Sequence, residues 1–111
     1  MLSWADERAR LDNVAGALKE EPDAIVYFSM YGGRRGCGGE VKARATRAKD
    51  YLVRERGISS DRILWKDNGY REKFTVEVWI QPRGVVEPYP APTLKRSEVR
   101  LRDCGRAARK R

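Results

Sequence analysis

Apolar residues recur along residues 4–20 at spacings that place them on one side of a helix. This stripe consists of Trp4, Leu11, Val14, Ala15 and Leu18. Ser3 stands just before the segment and Asp6 follows three residues later, which is a weak capping-box arrangement for a helix start. Pro22 ends the pattern because the residue before a proline is pushed out of helical geometry. The pattern therefore predicts a first helix from about residue 4 to residue 20.

The segment after this helix has the composition of a buried strand. Residues 24–31 are apolar at nearly every position and rich in β-branched and aromatic types. A strand that is apolar on both faces is covered on both, so we expect this one in the middle of a sheet. Residues 32–39 include five glycines in eight positions, which indicates a loop.

A second apolar stripe follows the glycine-rich loop. Its members are Val41, Ala45, Ala48 and Leu52, at spacings of four, three and four. They predict a helix from about residue 40 to residue 56, whose small alanines allow a close approach to the sheet. Gly57 suits the end of this helix because glycine accepts the left-handed conformation found there.

Two further strands are predicted over residues 62–66 and 74–80, on either side of the turn signal Asp67-Asn68-Gly69. The last strand alternates, so two sets of side chains are expected to face opposite ways. The set expected to face the core is Phe74, Val76, Val78 and Ile80, and the set expected to face outward is Thr75, Glu77 and Trp79. Because only about seven residues connect these strands, we expect them to pair antiparallel.

The order of these elements predicts an α+β fold, a two-layer α/β sandwich with the order α-β-α-β-β. The first and second strands are joined through a helix, so that pair is expected to be parallel and right-handed. The small mixed sheet has the first strand at its centre and both helices on one face.

The chain changes character after Gly84. Pro88, Pro90 and Pro92 alternate with other residues, a pattern that favours an extended polyproline-like segment. A short helix is predicted near residues 97–104. We therefore divide the chain into an α/β domain over residues 1–84 and a proline-rich, then basic, C-terminal tail over residues 85–111.

The net charge of +8 is unevenly distributed along the 111 residues. Residues 1–84 carry 16 basic and 13 acidic side chains, whereas residues 85–111 carry 8 and 3. A basic tail indicates an acidic partner, such as nucleic acid, an anionic lipid surface or an acidic protein, or else a solvated tail that aids solubility. No apolar run approaches the roughly 18 residues of a membrane helix. The first residues do not resemble a signal peptide, so the protein is expected to be cytoplasmic or to have lost a leader.

The absence of histidine removes Ser-His and Cys-His arrangements, and no acids pair on one core-facing surface, so we predict no enzyme activity. Two cysteines without histidine do not make an ordinary zinc site, and no metal or cofactor is expected. Cys37 and Cys104 either form a disulfide that fixes the tail across the loop, remain free thiols, or pair between chains. The loop with Arg34 and Arg35 is a flexible turn or, alternatively, an anion site at a helix start.

Several residue pairs between the second helix and the third strand occur in the order of a known signature. They are Arg44-Ala45, Tyr51-Leu52, Gly57-Ile58, Arg62-Ile63 and Gly69-Tyr70. This order resembles the helix-turn-strand signature of OmpA-like domains, the peptidoglycan-associating modules of bacterial cell envelopes. The resemblance covers roughly residues 24–80 and implies an envelope or periplasmic location.

In OmpA-like domains an aspartate after the first strand and an arginine on the next helix grip the free charges of the peptidoglycan stem peptide. The resemblance places the arginine at Arg44. The place of the aspartate falls within residues 30–33, where there is no acid. Peptidoglycan is thus a ligand that the resemblance implies, but the carboxylate that pairs an ammonium group is missing.

We therefore expect a divergent, non-catalytic OmpA-like domain that acts as a scaffold or accessory subunit and binds a protein partner or larger assembly through its tail and loop surface. The residues proposed to bind are Arg34, Arg35, Arg44, Tyr70 and Trp79. Trp79 and Tyr70 are expected to form an exposed docking patch. The alternative is a small basic nucleic-acid-binding protein in which Tyr31 and Tyr70 stack on bases.

Overall fold

A computed structural model describes residues 3–104 as an α+β domain. Its elements, which follow the predicted α-β-α-β-β order, are α1 (Trp4–Glu20), β1 (Ala24–Gly32), α2 (Glu40–Arg54), β2 (Ile63–Tyr70) and β3 (Thr75–Pro82). Short 3-10 turns lie at Ser60–Arg62 and Arg96–Glu98. The short helix predicted near residues 97–104 is wrong, because the second turn ends at Glu98 and Arg102 forms a β-bridge with Cys37.

Local chemistry fixes the ends of both helices. The Ser3 hydroxyl accepts a hydrogen bond from the Asp6 backbone N–H, which caps α1 as its sequence predicts. Arg62 donates to the backbone carbonyls of Leu18, Glu21 and Ala24, so it satisfies groups at the end of α1 and the start of β1. Gly57 has a φ of 70°, the left-handed conformation that ends the helical path of the chain just after α2.

The three strands form one sheet in the order β2-β1-β3, with β1 at its centre as predicted. Val26 of β1 lies opposite Ile63 in the parallel pair with β2, and opposite Ile80 in the antiparallel pair with β3. The predicted antiparallel pairing of the second and third strands is therefore wrong. The connection instead passes the end of β1, where the Arg71 N–H donates to the Gly32 carbonyl. This arrangement hydrogen-bonds both edges of the apolar β1.

The predicted turn at residues 67–69 is also wrong, because these residues belong to β2. Asn68 donates from its side-chain amide to the hydroxyls of Tyr27 and Ser29 on the neighbouring strand. The residue that suggested a turn thus has its hydrogen bonds inside the sheet. The parallel register shifts between Met30 and Gly32, so β2 is irregular at this end.

Both helices pack on one face of the sheet, against alternate residues of β1. The buried cluster that they form with the sheet consists of Leu11, Val14, Ala15, Leu18, Ala24, Val26, Phe28, Met30, Val41, Ala45, Ala48, Leu52, Ile58 and Ile63. The apolar stripes of the two helices supply eight of these residues, so their predicted orientation is confirmed. None of the helices described within residues 3–104 has both the length and the apolar character needed to cross a bilayer.

The second face of the sheet is covered by the chain after Gly84. Arg71 joins this segment to the sheet, because its guanidinium stacks 3.9 Å from the Tyr31 ring centre and donates to the Ala91 carbonyl. The Tyr31 hydroxyl accepts from the Ala91 N–H, and Lys66 of β2 pairs with Glu87 at 2.6 Å. The proline-rich segment has no helix or regular strand, and it contacts the sheet through Glu87 and Ala91.

Candidate functional site

The glycine-rich loop is tied to the end of the described chain. Cys37 forms a disulfide with Cys104, and their Cα atoms are 5.5 Å apart. Beside it, the Gly38 N–H donates to the Arg102 carbonyl at 2.8 Å, and the Arg102 N–H donates to the Gly36 carbonyl at 2.9 Å. The loop and residues 100–104 therefore pair through their backbones as well as through the disulfide.

These contacts bear on the anion site that the loop suggested. The N–H groups of Gly36 and Gly38 donate to carbonyls of the protein, and the N–H of Cys37 donates to a carboxylate oxygen of Glu40. A phosphate at this helix start would need the same donors and would meet the Glu40 charge. The local geometry favours a structural loop over an anion site.

The two arginines of the loop have different surroundings. Arg34 pairs with Glu72 at 2.6 Å and donates to the Glu98 carbonyl at 3.1 Å, so it links the loop to two other segments. Arg35 is exposed. Of the two, Arg35 presents its charge to solvent, whereas the charge of Arg34 already has a carboxylate neighbour.

Arg44 lies inside the helix layer. Its guanidinium is 3.3 Å from a carboxylate oxygen of Glu7, 3.6 Å from one of Glu40, and 4.3 Å from the centre of the Phe74 ring. Its Nε is buried and has no hydrogen-bond partner among the described residues. Arg44 also lines an apolar pocket of ≈ 80 Å³ between α1 and the sheet, which Val76 borders. An anionic ligand at Arg44 would have to compete with two carboxylates of the protein.

The predicted patch of Tyr70 and Trp79 is not assembled. Tyr70 lies on β2 and Trp79 on β3, and these strands flank β1, so the two residues belong to opposite edges of the sheet. The ring of Tyr70 packs on Gly32, where an added Cβ would lie 3.1 Å from two ring atoms. Trp79 lies opposite Tyr27 and is exposed, as its outward position predicts.

The most exposed apolar surface of the sheet was not predicted. Val76, Val78 and Ile80 lie opposite Met30, Phe28 and Val26, on the side of the sheet that the helices occupy. Together with Trp79 on the other side they have exposed fractions of 38% to 48%. The expectation that these three aliphatic residues belong to the core is therefore wrong. The two helices centre on β1, and β3 is an edge strand beyond their cover.

We call the outer edge of β3 with the side chains of Val76, Val78, Trp79 and Ile80 the β3 surface. Within residues 3–104 no strand pairs with this edge. The strand has no lysine and no register shift over its eight pairs with β1, and its one charged side chain, Glu77, pairs with Arg71 at 3.0 Å. Edge strands are usually protected from pairing with another chain by lysines or other charges, or by bulges that disturb the register. The other edge strand, β2, has Lys66 and an irregular register.

Some basic side chains on the helix layer are paired with carboxylates. Arg47 contacts Glu7 at 2.6 Å and stacks 4.3 Å from the Trp4 ring centre, and Arg54 pairs with Asp50. Such pairs neutralise part of the surface charge. The basic residues at positions 106–111 on which the nucleic-acid interpretation drew lie outside the described residues.

Comparison of the chain with protein-family models, curated proteins and solved structures gives no match. The OmpA-like resemblance stays a prediction carried by the residue pairs that suggested it.

Proposed function

We propose that this chain is a non-catalytic binding module of the bacterial cell envelope or periplasm, related to OmpA-like domains, and that it serves as a scaffold or accessory subunit. The observation that carries this proposal is the β3 surface, whose apolar side chains are exposed beside a strand edge that no strand of residues 3–104 pairs with. Exposed apolar patches are typical of protein-binding sites, and Trp79 adds an exposed aromatic side chain on the other face of the same strand.

The disulfide supports the compartment in this proposal. Bonds between cysteines persist in oxidising environments such as the periplasm and are rare in the cytosol. Here the bond joins residues 67 positions apart and closes the tail onto the loop. A protein exported to the envelope would form it after translocation.

The proposed partner is a protein, and two surfaces are offered to it. The β3 surface supplies the edge and its aliphatic side chains. The proline-rich segment adds Val86 and Tyr89, which are almost fully exposed although the segment itself lies on the sheet. Peptidoglycan is disfavoured, because Arg44 is held by two carboxylates and the acid that would pair an ammonium group is absent.

The test is retention of a partner from the envelope fraction of the source cell by the immobilised, oxidised chain. Val78→Asp places a charge on the β3 surface, and Leu64→Asp is a matched control, because Leu64 is similarly exposed on the opposite edge strand. We expect wild type and L64D to retain the same protein and V78D to lose it. Equal retention by all three chains would contradict the proposal.

The second candidate is nucleic-acid binding, which the net charge of +8 and the exposed Arg35, Arg100 and Arg102 favour. Electrostatic binding to phosphates weakens steeply as salt rises. A titration with single- and double-stranded oligonucleotides at two salt concentrations tests it. Absence of binding at low salt removes this candidate.

A further inference from the structure

We propose that the occupant of the β3 surface is a second copy of this chain. The two copies pair antiparallel through β3 and form one six-stranded sheet in the order β2-β1-β3-β3-β1-β2. This inference deepens the proposed function, on which it rests for the role of the β3 surface, and it names the partner.

The sequence of β3 matches itself when it is reversed. A two-fold axis at Val78 places Val78 opposite its own copy and Val76 opposite Ile80, so the aliphatic side chains of both copies meet on the helix side. In an antiparallel pair, directly opposite side chains share one face of the sheet. The same axis keeps the two helix layers on one side, since a shift by one residue would reverse the faces.

The charges of β3 permit this register. Glu77 falls opposite Trp79 of the other copy, so no like charges face each other across the pair. Glu77 also keeps its own partner, Arg71, at 3.0 Å. A register centred on Glu77 would instead bring two carboxylates together. Pro82 lies beyond the paired residues in the Val78 register, which leaves its missing N–H outside the ladder.

The pocket beside β3 fits the same arrangement. Val76 lines this apolar pocket of ≈ 80 Å³ together with Leu11 and Val14 of α1. Because Val76 pairs with Ile80 in the proposed register, the Ile80 side chain of one copy lies next to the pocket of the other. Dimer formation therefore brings the exposed aliphatic side chains of the two β3 strands into contact and removes from water the part of their surface that faces the other copy.

Salt dependence separates this occupant from an acidic one. Each chain has a net charge of +8, so two copies repel at long range, and salt screens that repulsion. Dimerisation through apolar side chains is expected to strengthen as salt rises. Binding of nucleic acid or an acidic protein is expected to weaken.

The first experiment measures the oligomeric state of the oxidised full chain by sedimentation equilibrium at low and high salt. We expect a concentration-dependent dimer for wild type and L64D, and a dissociation constant at least about tenfold higher for V78D, because its new carboxylate would face its own copy. Circular dichroism of both variants checks that each is folded. A monomer at every concentration, or the same loss in L64D as in V78D, overturns the proposal.

A second experiment tests the register and does not depend on loss of function. Val78→Cys places a thiol opposite its own copy, within the Cβ separation of about 5 Å that directly paired residues have, so oxidation should link two chains. Ile80→Cys is the matched control, because its own copy is displaced along the strand. Cross-linking of V78C but not of I80C is expected, and mass spectrometry identifies the linked peptides. No V78C dimer, or equal linking of both variants, overturns the register.

The two proposals fail in different ways. A chain that stays monomeric but retains another protein in a β3-dependent manner contradicts the dimer and leaves the binding module standing. A chain that neither dimerises nor retains a protein through β3 contradicts both.

Discussion

The side chain of Asn68 holds β2 against β1 through two hydrogen bonds. Its amide donates to the Tyr27 hydroxyl at 2.9 Å and to the Ser29 hydroxyl at 2.7 Å, and Ser29 in turn donates to the Tyr31 hydroxyl. The three hydroxyl residues on β1 are buried. Buried polar groups need hydrogen-bond partners, and Asn68 supplies them to the buried hydroxyls of Tyr27 and Ser29.

Replacement of Asn68 by alanine should destabilise the protein by about 1–3 kcal/mol, because buried hydroxyl groups lose their donor. Asn13→Ala is the matched control, since Asn13 is exposed on α1 and its change should alter stability by only a few tenths of a kcal/mol. Urea unfolding of the two variants measures both effects. Equal stabilities would mean that the network contributes nothing.

Asp12 joins the two helices through its carboxylate. Arg56 donates to it at 2.7 Å and the Tyr51 hydroxyl donates at 2.7 Å. The hydrogen bond from Arg56, followed by that from Tyr51, lowers the pKa of Asp12 below its usual value. The same contacts raise the pKa of Tyr51 and of Arg56.

A lowered pKa in the folded state makes the stability contribution of Asp12 pH-dependent. The contribution is present above the unfolded pKa of about 3.9 and is lost as pH falls through the folded value. We therefore expect the stability difference between wild type and Asp12→Asn to be largest at neutral pH and to shrink in acid. Urea unfolding across this range, with an NMR titration of the Asp12 carboxyl, measures it. A difference that stays constant with pH, or a carboxyl midpoint above the usual value, would contradict the assignment.

At the scale of elements, two segments with little regular structure hold the domain together. Residues 100–104 pair with the glycine-rich loop, and residues 87–94 lie across the second face of the sheet. Cross-links between distant positions limit the unfolded chain more than local ones do. We therefore expect the disulfide, like the pairing of the strands, to contribute to the free energy of unfolding.

Loss of the Cys37–Cys104 bond should lower the free energy of unfolding. The bond spans 67 positions, for which the chain-entropy estimate is about 4 kcal/mol, and measured values are often smaller. We expect the double change Cys37→Ser and Cys104→Ser to cost about 2–4 kcal/mol in urea unfolding. Reduction of the wild type should give the same result. A reduced protein as stable as the oxidised one would contradict this role.

Removal of residues 85–111 should expose the second face of the sheet. Tyr31, which is buried on this face together with Tyr27 and Ser29, would lose the hydrogen bond that its hydroxyl accepts from the Ala91 N–H. We expect binding of a hydrophobic dye and loss of cooperative unfolding. A chain ending after Cys104 is the matched control, because it keeps every contact described above. Identical urea curves for the two truncations would show that the segment does not stabilise the sheet.

At the scale of the whole molecule, local patterns in the sequence predict the parts that depend on local physics. The stripes from Leu11 to Leu18 and from Val41 to Leu52 determine the buried faces of the helices, and the apolar run of β1 determines the centre of the sheet. The positions of β2 and β3 on opposite edges of β1 were not predicted, because they depend on the need of the buried β1 for hydrogen-bonding partners along both of its edges. A short connection alone does not report that requirement.

The candidate site was harder to predict than the fold. Arg34 and Arg44 each have the residue type of a binding group, but their availability depends on the neighbours Glu72 and Glu7, which are distant in sequence. The exposure of Val78 follows from how far two helices reach over three strands. The alternating pattern of β3 shows which side chains share a face, but it does not show how much of that face the two helices cover.

Pairing of two copies through β3 is tested most directly by hydrogen exchange of the β3 amides, measured by mass spectrometry over a dilution series of the oxidised chain. If two copies pair through β3, the outward-facing amides of Thr75–Pro82 become more protected as concentration rises, whereas those of Ile63–Tyr70 on the other edge do not change. Exchange of the β3 amides that is the same at every concentration would contradict a contact between copies at this edge.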